Sequence, residues 1–387
     1  MSNMLNKSNK GQVEVSFNWI YVLVAGTLIL LFFVGLSVKQ KTISEENMGI
    51  EVVRVMGNIL TGAGAAEKTK NFIDISGLSE FTLYFACEDT IGEYGIEGRA
   101  AKMEEAITPI FSPQRIQSSK LITWSLPYQL PFKIIDMLYV TAPNIRYYVF
   151  GQNEFVEEME EEMGVSGPSA TGTSGSFGNL ELLNDQADYM AINPQKNYAV
   201  RIVDVMGTLI PSAPIPDELK AWDDAKVTAV VILDNTLDFY QKSGSSWRKL
   251  NAQAIPLISV DTVNGEAKKR NSAKFAAVFS DDPDIYLCNM KKAWNRGDFV
   301  VQLYQKKAEE LERYFSATDA GGVCYHAYAA TSSYGADKNY PLSLETLRGA
   351  LQSCLVGECR DGDQFKTVLD NLEQLNEDMN LECIPLY

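Results

Sequence analysis

Aspartate residues recur at the ends of apolar segments in the second half of the sequence. Asp204, Asp234 and Asp261 each end or directly follow such a segment, and Asp281 and Asp282 come just after another. If these segments are parallel strands, their carboxyl ends face the crevice in which open α/β sheets bind ligands. Several carboxylates there form a candidate Mg²⁺ site. Aspartate also caps helices and turns, so local backbone chemistry is the alternative explanation of the pattern.

The residues around Asp234 resemble a phosphatase motif. The stretch VVILDNTLD at 230–238 is similar to the first motif of the haloacid dehalogenase phosphatases, an apolar strand ending in D-x-D-[GN]-T-L. The resemblance implies an aspartate nucleophile two residues before Asp234, where this sequence has Ile232. Isoleucine cannot form a phosphorylated intermediate, so no catalysis is expected by this route.

A thiol and an imidazole form the other nucleophilic candidate. The sequence has a single histidine, His326, which follows Cys324 closely. A cysteine nucleophile must be a free thiol with its base within hydrogen-bond reach. If Cys324 is bonded to another cysteine, the pair cannot act and the histidine is structural. A single histidine also excludes a His-rich metal site.

The cysteine pattern bears on the cellular compartment. All six cysteines follow residue 86, and none forms a C-x-x-C pair or a zinc-type spacing. The even number predicts disulfide bonds in an extracytoplasmic domain, and buried thiols in a cytosolic domain are the alternative. At least two bonds are expected among the carboxy-terminal candidates Cys288, Cys324, Cys354, Cys359 and Cys383. Cys87 is expected to be unpaired or to link two domains.

A long apolar segment precedes the rest of the chain. Residues 17–38, FNWIYVLVAGTLILLFFVGLSV, contain no charged side chain. A helix of this length covers about 33 Å, which exceeds the hydrocarbon core of a bilayer at about 30 Å. The segment therefore predicts a transmembrane helix at the cell membrane, with the lipid bilayer as a partner. Basic residues are nearly balanced around it, so the cysteines favour an extracytoplasmic carboxy-terminal domain.

The residues before this segment resemble a processing site. The junction Lys10-Gly11-Gln12, followed by an uninterrupted apolar helix, resembles the class III signal peptide of archaeal type IV pilins and archaellins. The resemblance implies cleavage after Gly11, so that the mature chain begins at Gln12 and its apolar helix packs in a filament. An uncleaved anchor is the alternative. Segments at 111–116, 124–143 and 279–294 also resemble an uncharacterised group of membrane-anchored archaeal proteins, which supplies no catalytic residues.

The predicted fold is a single amino-terminal transmembrane helix with a stalk, then an α+β domain and an α/β domain with a mostly parallel sheet. Apolar runs without strict alternation are typical of strands buried on both faces. Such runs occur at 198–205, 227–233, 254–260 and 273–279, and helices are predicted at 100–107, 284–315, 342–355 and 364–379. The predicted division is a leader or cytoplasmic tail at 1–16, the span at 17–38, a helical stalk at 39–62, the α+β domain at 63–152, an acidic and Gly/Ser-rich linker at 153–184, and the α/β domain at 185–387.

Composition narrows the function without naming it. The net charge of −16 argues against nucleic-acid binding, which needs a basic surface. No cofactor is predicted. The leading expectation is a non-enzymatic cell-surface protein, an adhesin or pilin-like component that self-assembles or binds a surface partner. The alternative is a membrane-tethered metal-assisted hydrolase, which the candidates Asp204, Asp234, Asp261 and Asp281 would serve if they cluster.

Overall fold

The computed structural model describes the chain from residue 49 onwards with short gaps, and a few residues before it. The described residues are 24, 26–27, 30–31, 49–64, 69–164, 177–233, 235–258, 262–263, 266–267, 271–330, 339–357, 359 and 362–387. The predicted leader, the processing site at Gly11 and Gln12, and the beginning of the predicted stalk lie outside these residues.

The prediction of a transmembrane fold needs correction. Of residues 17–38 only 24, 26–27 and 30–31 are described, and these are helical. Within the described part of the chain, no helix is both long enough and apolar enough to cross a membrane. The long helix at Pro283–Thr318, for example, alternates buried apolar side chains with exposed charged ones, as expected for a helix on a protein core. The predicted fold class is therefore wrong for the residues that the structure describes.

Residues 49–64 form a helix, α1, that packs against the strands that follow it. The buried face recurs every three or four residues and consists of Val53, Met56, Leu60 and Ala63. Val55 lies on another face and is 45% exposed. At Gly57 the helix comes so close to its neighbour that an added Cβ would lie 3.0 Å from Cε of Met103. The end of the predicted stalk thus contributes to the core.

Two four-stranded sheets follow α1. Their strands are β1 (Lys70–Asp74), β2 (Leu83–Glu88), β3 (Ile91–Ile96), β4 (Lys102–Glu105), β5 (Ile110–Phe111), β6 (Arg115–Ile116), β7 (Lys120–Gln129) and β8 (Lys133–Thr141). The strand orders are β1-β7-β8-β5 and β4-β3-β2-β6. The helix predicted at 100–107 is wrong, because β4 lies there with alternately exposed and half-buried side chains, the period of a strand.

A seven-stranded sheet forms the centre of the molecule, in the order β10-β9-β11-β12-β13-β14 with β15 beside β13. Its strands are β9 (Ile145–Phe150), β10 (Leu180–Leu183), β11 (Ala199–Asp204), β12 (Val227–Leu233), β13 (Thr236–Ser243), β14 (Ser246–Lys249) and β15 (Ile255–Pro256). A two-stranded sheet, β16 (Thr262–Val263) and β17 (Glu266–Ala267), follows. The central sheet contains strands from both sides of the predicted linker at 153–184, because β9 before it pairs with β11 after it. The linker itself contributes β10, which also pairs with β9.

The central sheet is mixed, so the prediction of a mostly parallel sheet is wrong. The pairs β10–β9, β9–β11 and β11–β12 are parallel, whereas β13 is antiparallel to β12, β14 and β15. Leu233 pairs with Thr236, so the chain reverses directly between β12 and β13. A reversal this short permits only antiparallel pairing, since parallel strands need a crossover. Ile232 is buried, as predicted.

Two helices lie where the sequence predicted a strand and a linker. The run at 273–279 was predicted as a strand, but Ser272–Phe279 is helix α5, and each of its residues is buried. A short segment buried all around shows neither period, so the two structures cannot be distinguished by pattern. The acidic run of the predicted linker is helix α2 (Glu154–Met163), which is capped by Asn153 and buries Phe155 and Met159.

Six further helices lie between β10 and the carboxyl end of the described chain. They are α3 (Gln186–Met190), α4 (Asp217–Lys220), α6 (Pro283–Thr318), α7 (Val323–Tyr328), α8 (Tyr340–Leu355) and α9 (Gly362–Glu382). The three predicted long helices correspond to α6, α8 and α9. One hydrophobic cluster contains buried residues from Met56 in α1 to Leu386 near the carboxyl end, so most layers share one core.

Three disulfide bonds join the cysteines, and two of them connect elements that are far apart in the sequence. Cys87 in β2 bonds to Cys288 in α6, with their Cα atoms 5.8 Å apart. The other bonds are Cys324–Cys383 and Cys354–Cys359. The two bonds expected among the carboxy-terminal cysteines are therefore present, and Cys87 links an amino-terminal sheet to a later helix.

Candidate functional site

Asp204, at the end of β11, is fully buried and holds a turn together. Its Oδ1 accepts hydrogen bonds from the backbone N–H groups of Met206 and Gly207 at 3.0 and 2.8 Å. Its Oδ2 accepts from Leu209 and Ile210, both at 2.9 Å. Because four backbone donors occupy the two oxygens, the arrangement is that of a turn cap rather than of a metal ligand.

The other strand-end aspartates do not join Asp204. Asp234 and Asp261 lie outside the described residues. Asp282 caps α6, where its carboxylate accepts from the backbone of Asp284 at 2.8 Å. Asp281 lines a cleft to which Asp204 does not contribute. In the described part of the chain, no three His, Cys, Asp or Glu side chains are placed to hold a metal ion.

The cleft that contains Asp281 has a volume of about 560 Å³ and lies at the amino ends of β9, β11 and β12. Its walls are the segment 113–117, the start of β11 at 199–201, and the junction between α5 and α6 at 281–282. The volume falls within the usual range for small-molecule sites, about 300–1,000 Å³. The cleft is at the end of the parallel strands opposite to the crevice that the sequence predicted.

Arg201, on the start of β11, is the central basic residue of this cleft. Its side chain is only 3% exposed. Its Nη2 donates to the carbonyl oxygen of Ala277 at 3.0 Å and to that of Ser280, and its Nε donates to that of Val278 at 3.4 Å. These carbonyls lie at the carboxyl end of α5, where helical partners run out. The guanidinium plane also lies 5.3 Å from the ring centre of Phe239.

One nitrogen of Arg201 is left over. Nη1 is buried and forms no hydrogen bond with any described residue. Burial lowers the pKa of Arg201 to about 10, so the guanidinium stays charged at neutral pH. A buried donor without a partner costs about 1–3 kcal/mol, which an incoming acceptor would recover. Nη1 is therefore an unsatisfied charged donor in a residue that lines the cleft.

Asp281 supplies a carboxylate to the same cleft. Its Oδ1 accepts from the backbone N–H of Gln114 at 2.9 Å, which fixes the side chain against the segment before β6. Burial raises the pKa of Asp281 to about 6, with Arg201 lowering it and Asp282 raising it. The carboxyl group is therefore mostly ionised at pH 7 and mostly protonated at pH 5.

The two other arginines of the cleft, Arg115 and Arg248, each have a side-chain partner. Nε of Arg115 lies 2.8 Å from Oε1 of Glu97, in an ion pair. Nη2 of Arg248 donates to the side-chain oxygen of Gln241 at 2.6 Å. Acidic and basic residues line the cleft in equal number, in a chain whose net charge is −16. The cleft is thus less negative than the protein as a whole.

Asn144, at the turn before β9, adds a polar group to the wall. Its Nδ2 donates to the carbonyl oxygen of Gln117 at 2.8 Å, so the amide orientation is fixed. Its Oδ1 is buried and accepts no hydrogen bond from the described residues. The residues that line the cleft therefore include an unsatisfied acceptor as well as an unsatisfied donor.

The thiol–imidazole candidate is excluded by the disulfide bonds. Cys324 is bonded to Cys383, with Cα atoms 5.7 Å apart, so it has no thiol to act as a nucleophile. The structural interpretation of His326 is the one that remains.

Sequence reasoning missed Arg201 and Asn144. A signal for Arg201 was present, because a charged residue stands in the middle of the apolar run YAVRIVDV and must find partners when the strand is buried. Asn144 lies in an ordinary turn sequence, APNI, and gave no such signal. No family model matches the chain, and neither a curated protein nor a solved structure matches it.

Proposed function

We propose that the chain is an extracytoplasmic, non-enzymatic binding protein that holds a small organic anion in the cleft at the amino ends of β9, β11 and β12. The observation on which this depends is Nη1 of Arg201, a charged donor that is buried in the wall without a partner. Arginine binds carboxylates through hydrogen bonds that are assisted by charge, and burial strengthens them.

The disulfide bonds support the compartment. All six cysteines are paired in three bonds. Such bonds persist in oxidising compartments and are rare in the cytosol. The adhesin or pilin-like role stays a prediction of the sequence, since the residues that resemble a pilin leader lie outside the described part of the chain.

The contacts of the candidate residues favour binding over metal-assisted hydrolysis. Asp204 is occupied by four backbone donors, and Asp282 is occupied by the first turn of α6. Arg201 and Asn144 instead keep unused polar atoms in the cleft, which can orient a ligand.

Carboxylates and their matched amides test this proposal. Thermal shift and calorimetry on the oxidised full chain would compare acetate, propionate, succinate and benzoate with the corresponding amides. We expect at least one carboxylate to bind with a dissociation constant below about 10 mM and its amide not to bind. Arg201→Lys keeps the charge but loses the planar fork, so it should weaken binding at least tenfold.

The matched control is Arg296→Lys on α6, an exposed arginine that does not line the cleft. It should bind the carboxylate as the unmodified chain does. Absence of carboxylate binding, or equal affinities of the two variants, would show that the cleft does not have the proposed function.

A further inference from the structure

We infer that the ligand is a small zwitterion with the charge pattern of a free amino acid, whose carboxylate binds Nη1 of Arg201 and whose ammonium group binds the carboxylate of Asp281. The inference rests on the proposed function, because it assumes that the cleft binds an anion through Arg201. It adds the second charge of the ligand and the residue that recognises it.

Arg201 and Asp281 carry opposite charges in one cleft without forming an ion pair with each other. Nη2 of Arg201 donates to the carbonyl oxygen of Ser280, the residue directly before Asp281, and both residues line the cleft, so the two charges lie near each other. Neither belongs to an ion pair with N–O distances up to 4.0 Å among the described residues. Two opposite charges that are close but unpaired form the complement of a ligand that carries an ammonium and a carboxylate group on one carbon atom.

Both side chains are held in place by hydrogen bonds to the backbone. Arg201 is fixed by the carbonyls at the end of α5, which leaves Nη1 without a partner. Asp281 is fixed through Oδ1 by the N–H of Gln114. Groups that are positioned before binding lose little conformational entropy when a ligand arrives.

Asn144, which also lines the cleft, supplies a second acceptor for the ammonium group. Its Oδ1 is buried without a partner, and an ammonium group has three N–H donors to share. An anion without an amino group would leave both this oxygen and the carboxylate of Asp281 unmatched. The cleft should therefore prefer an amino acid to the carboxylic acid that lacks its amino group.

The charge of Asp281 sets the pH dependence of this preference. The charged and titratable groups that act on Asp281 are Arg201 of β11, Asp282 at the start of α6 and Tyr147 of β9. The pair Glu97–Arg115 and the side chains of Asp223, Lys226 and Arg248 also line the cleft. Burial keeps Tyr147 neutral over this range, since its pKa is raised. Affinity for a zwitterion should therefore fall about tenfold between pH 7 and pH 5, as Asp281 takes up a proton.

Calorimetry on the oxidised full chain tests the inference with the twenty common amino acids as probes. The amino acid that binds most tightly would be compared with its analogue that lacks the amino group and with its analogue that lacks the carboxyl group. We expect each analogue to bind at least tenfold more weakly than the amino acid. Asp281→Asn still accepts from Gln114, and it should lose most of the preference for the amino acid over the des-amino analogue, because only the neutral acceptors remain.

Asp217→Asn is the matched control, because Asp217 is exposed, pairs with Lys220 and lies away from the cleft. This variant should keep the preference for the amino acid. If the des-amino analogue binds as tightly as the amino acid, or if Asp281→Asn keeps the preference, the zwitterion inference is overturned and the anion-binding function stands. If neither amino acids nor simple carboxylates bind, both are overturned.

Discussion

Replacing Asp281 by asparagine should stabilise the ligand-free protein at neutral pH. The pKa of this carboxyl rises from 3.8 in the unfolded chain to about 6 in the folded protein, so folding holds the proton more tightly. Below pH 3.8 the group is protonated in both states and contributes nothing. As the pH rises towards 6, the unfolded state releases its proton first, and the folded state loses stability relative to it.

The magnitude follows from the same pKa values. A tenfold change in proton affinity corresponds to about 1.4 kcal/mol, so the full pKa rise of Asp281 corresponds to about 3 kcal/mol. Solvent around the half-buried carboxyl reduces this figure, and we expect Asp281→Asn to gain between about 1 and 3 kcal/mol at pH 7. Near pH 4 the variant and the unmodified chain should be equally stable, because asparagine resembles the protonated acid.

Urea unfolding followed by tryptophan fluorescence at pH 4 and pH 7 measures this difference. Asp188→Asn is the control of opposite sign, because the N–H groups of Asn184 lower the pKa of Asp188. That variant should lose stability at pH 7 relative to the unmodified chain. If Asp281→Asn is no more stable than the unmodified chain at pH 7, the carboxyl is not buried as described and the reasoning fails.

Three further substitutions test other parts of the fold by urea unfolding. Replacing both Cys87 and Cys288 by alanine should lower the free energy of unfolding by about 5 kcal/mol in the chain-entropy estimate. This loss should exceed that for either other bond, because the separation of 201 residues is the longest. A smaller loss than for the bonds with separations of 59 and 5 residues would contradict this ranking. Asp204→Asn should cost about 2–4 kcal/mol, since an amide cannot accept all four backbone bonds, and added Mg²⁺ should leave the unfolding of the unmodified chain unchanged. Met56→Ala should cost about 2–5 kcal/mol if α1 belongs to the core, and Val55→Ala beside it less than about 0.5 kcal/mol; equal effects would show that α1 is not packed there.

Long amphipathic segments could be predicted from the sequence, and short buried ones could not. The helix α6 shows a helical period over many turns and begins with Pro283 behind a capping aspartate, so its position was clear from pattern and caps. The segment that became α5 is short and buried on every side, so it carries no period. Leu233 pairs with Thr236, and the sequence between them is a polar pair flanked by β-rich runs, which is a hairpin signal.

The cleft was beyond prediction for a different reason. Asp281 was identified from its place after an apolar run, but the reason given was a metal site at the carboxyl ends of strands. Its actual neighbours, Arg201 and Gln114, are far away in the sequence and meet it only when three layers pack together. Local patterns specify elements, whereas a cleft between layers depends on long-range contacts that no window of residues contains.

The disulfide topology constrains how the chain can be oxidised as it emerges from its amino end. Cys288 is the first cysteine to appear after Cys87, so pairing in order of appearance gives the native first bond. The next pair in order would join Cys324 to Cys354, whereas the native bond of Cys324 encloses Cys354–Cys359.

Closure of the short Cys354–Cys359 loop, with a separation of 5 residues, loses the least chain entropy and removes both competitors at once. If that loop closes before Cys354 is captured by Cys324, the last two thiols have only each other. If Cys324 bonds to Cys354 first, a free thiolate must attack that non-native disulfide and exchange it. This step takes seconds to hours and is accelerated by an isomerase. The rate of correct disulfide formation should therefore depend on whether Cys354 bonds first to Cys359 or to Cys324.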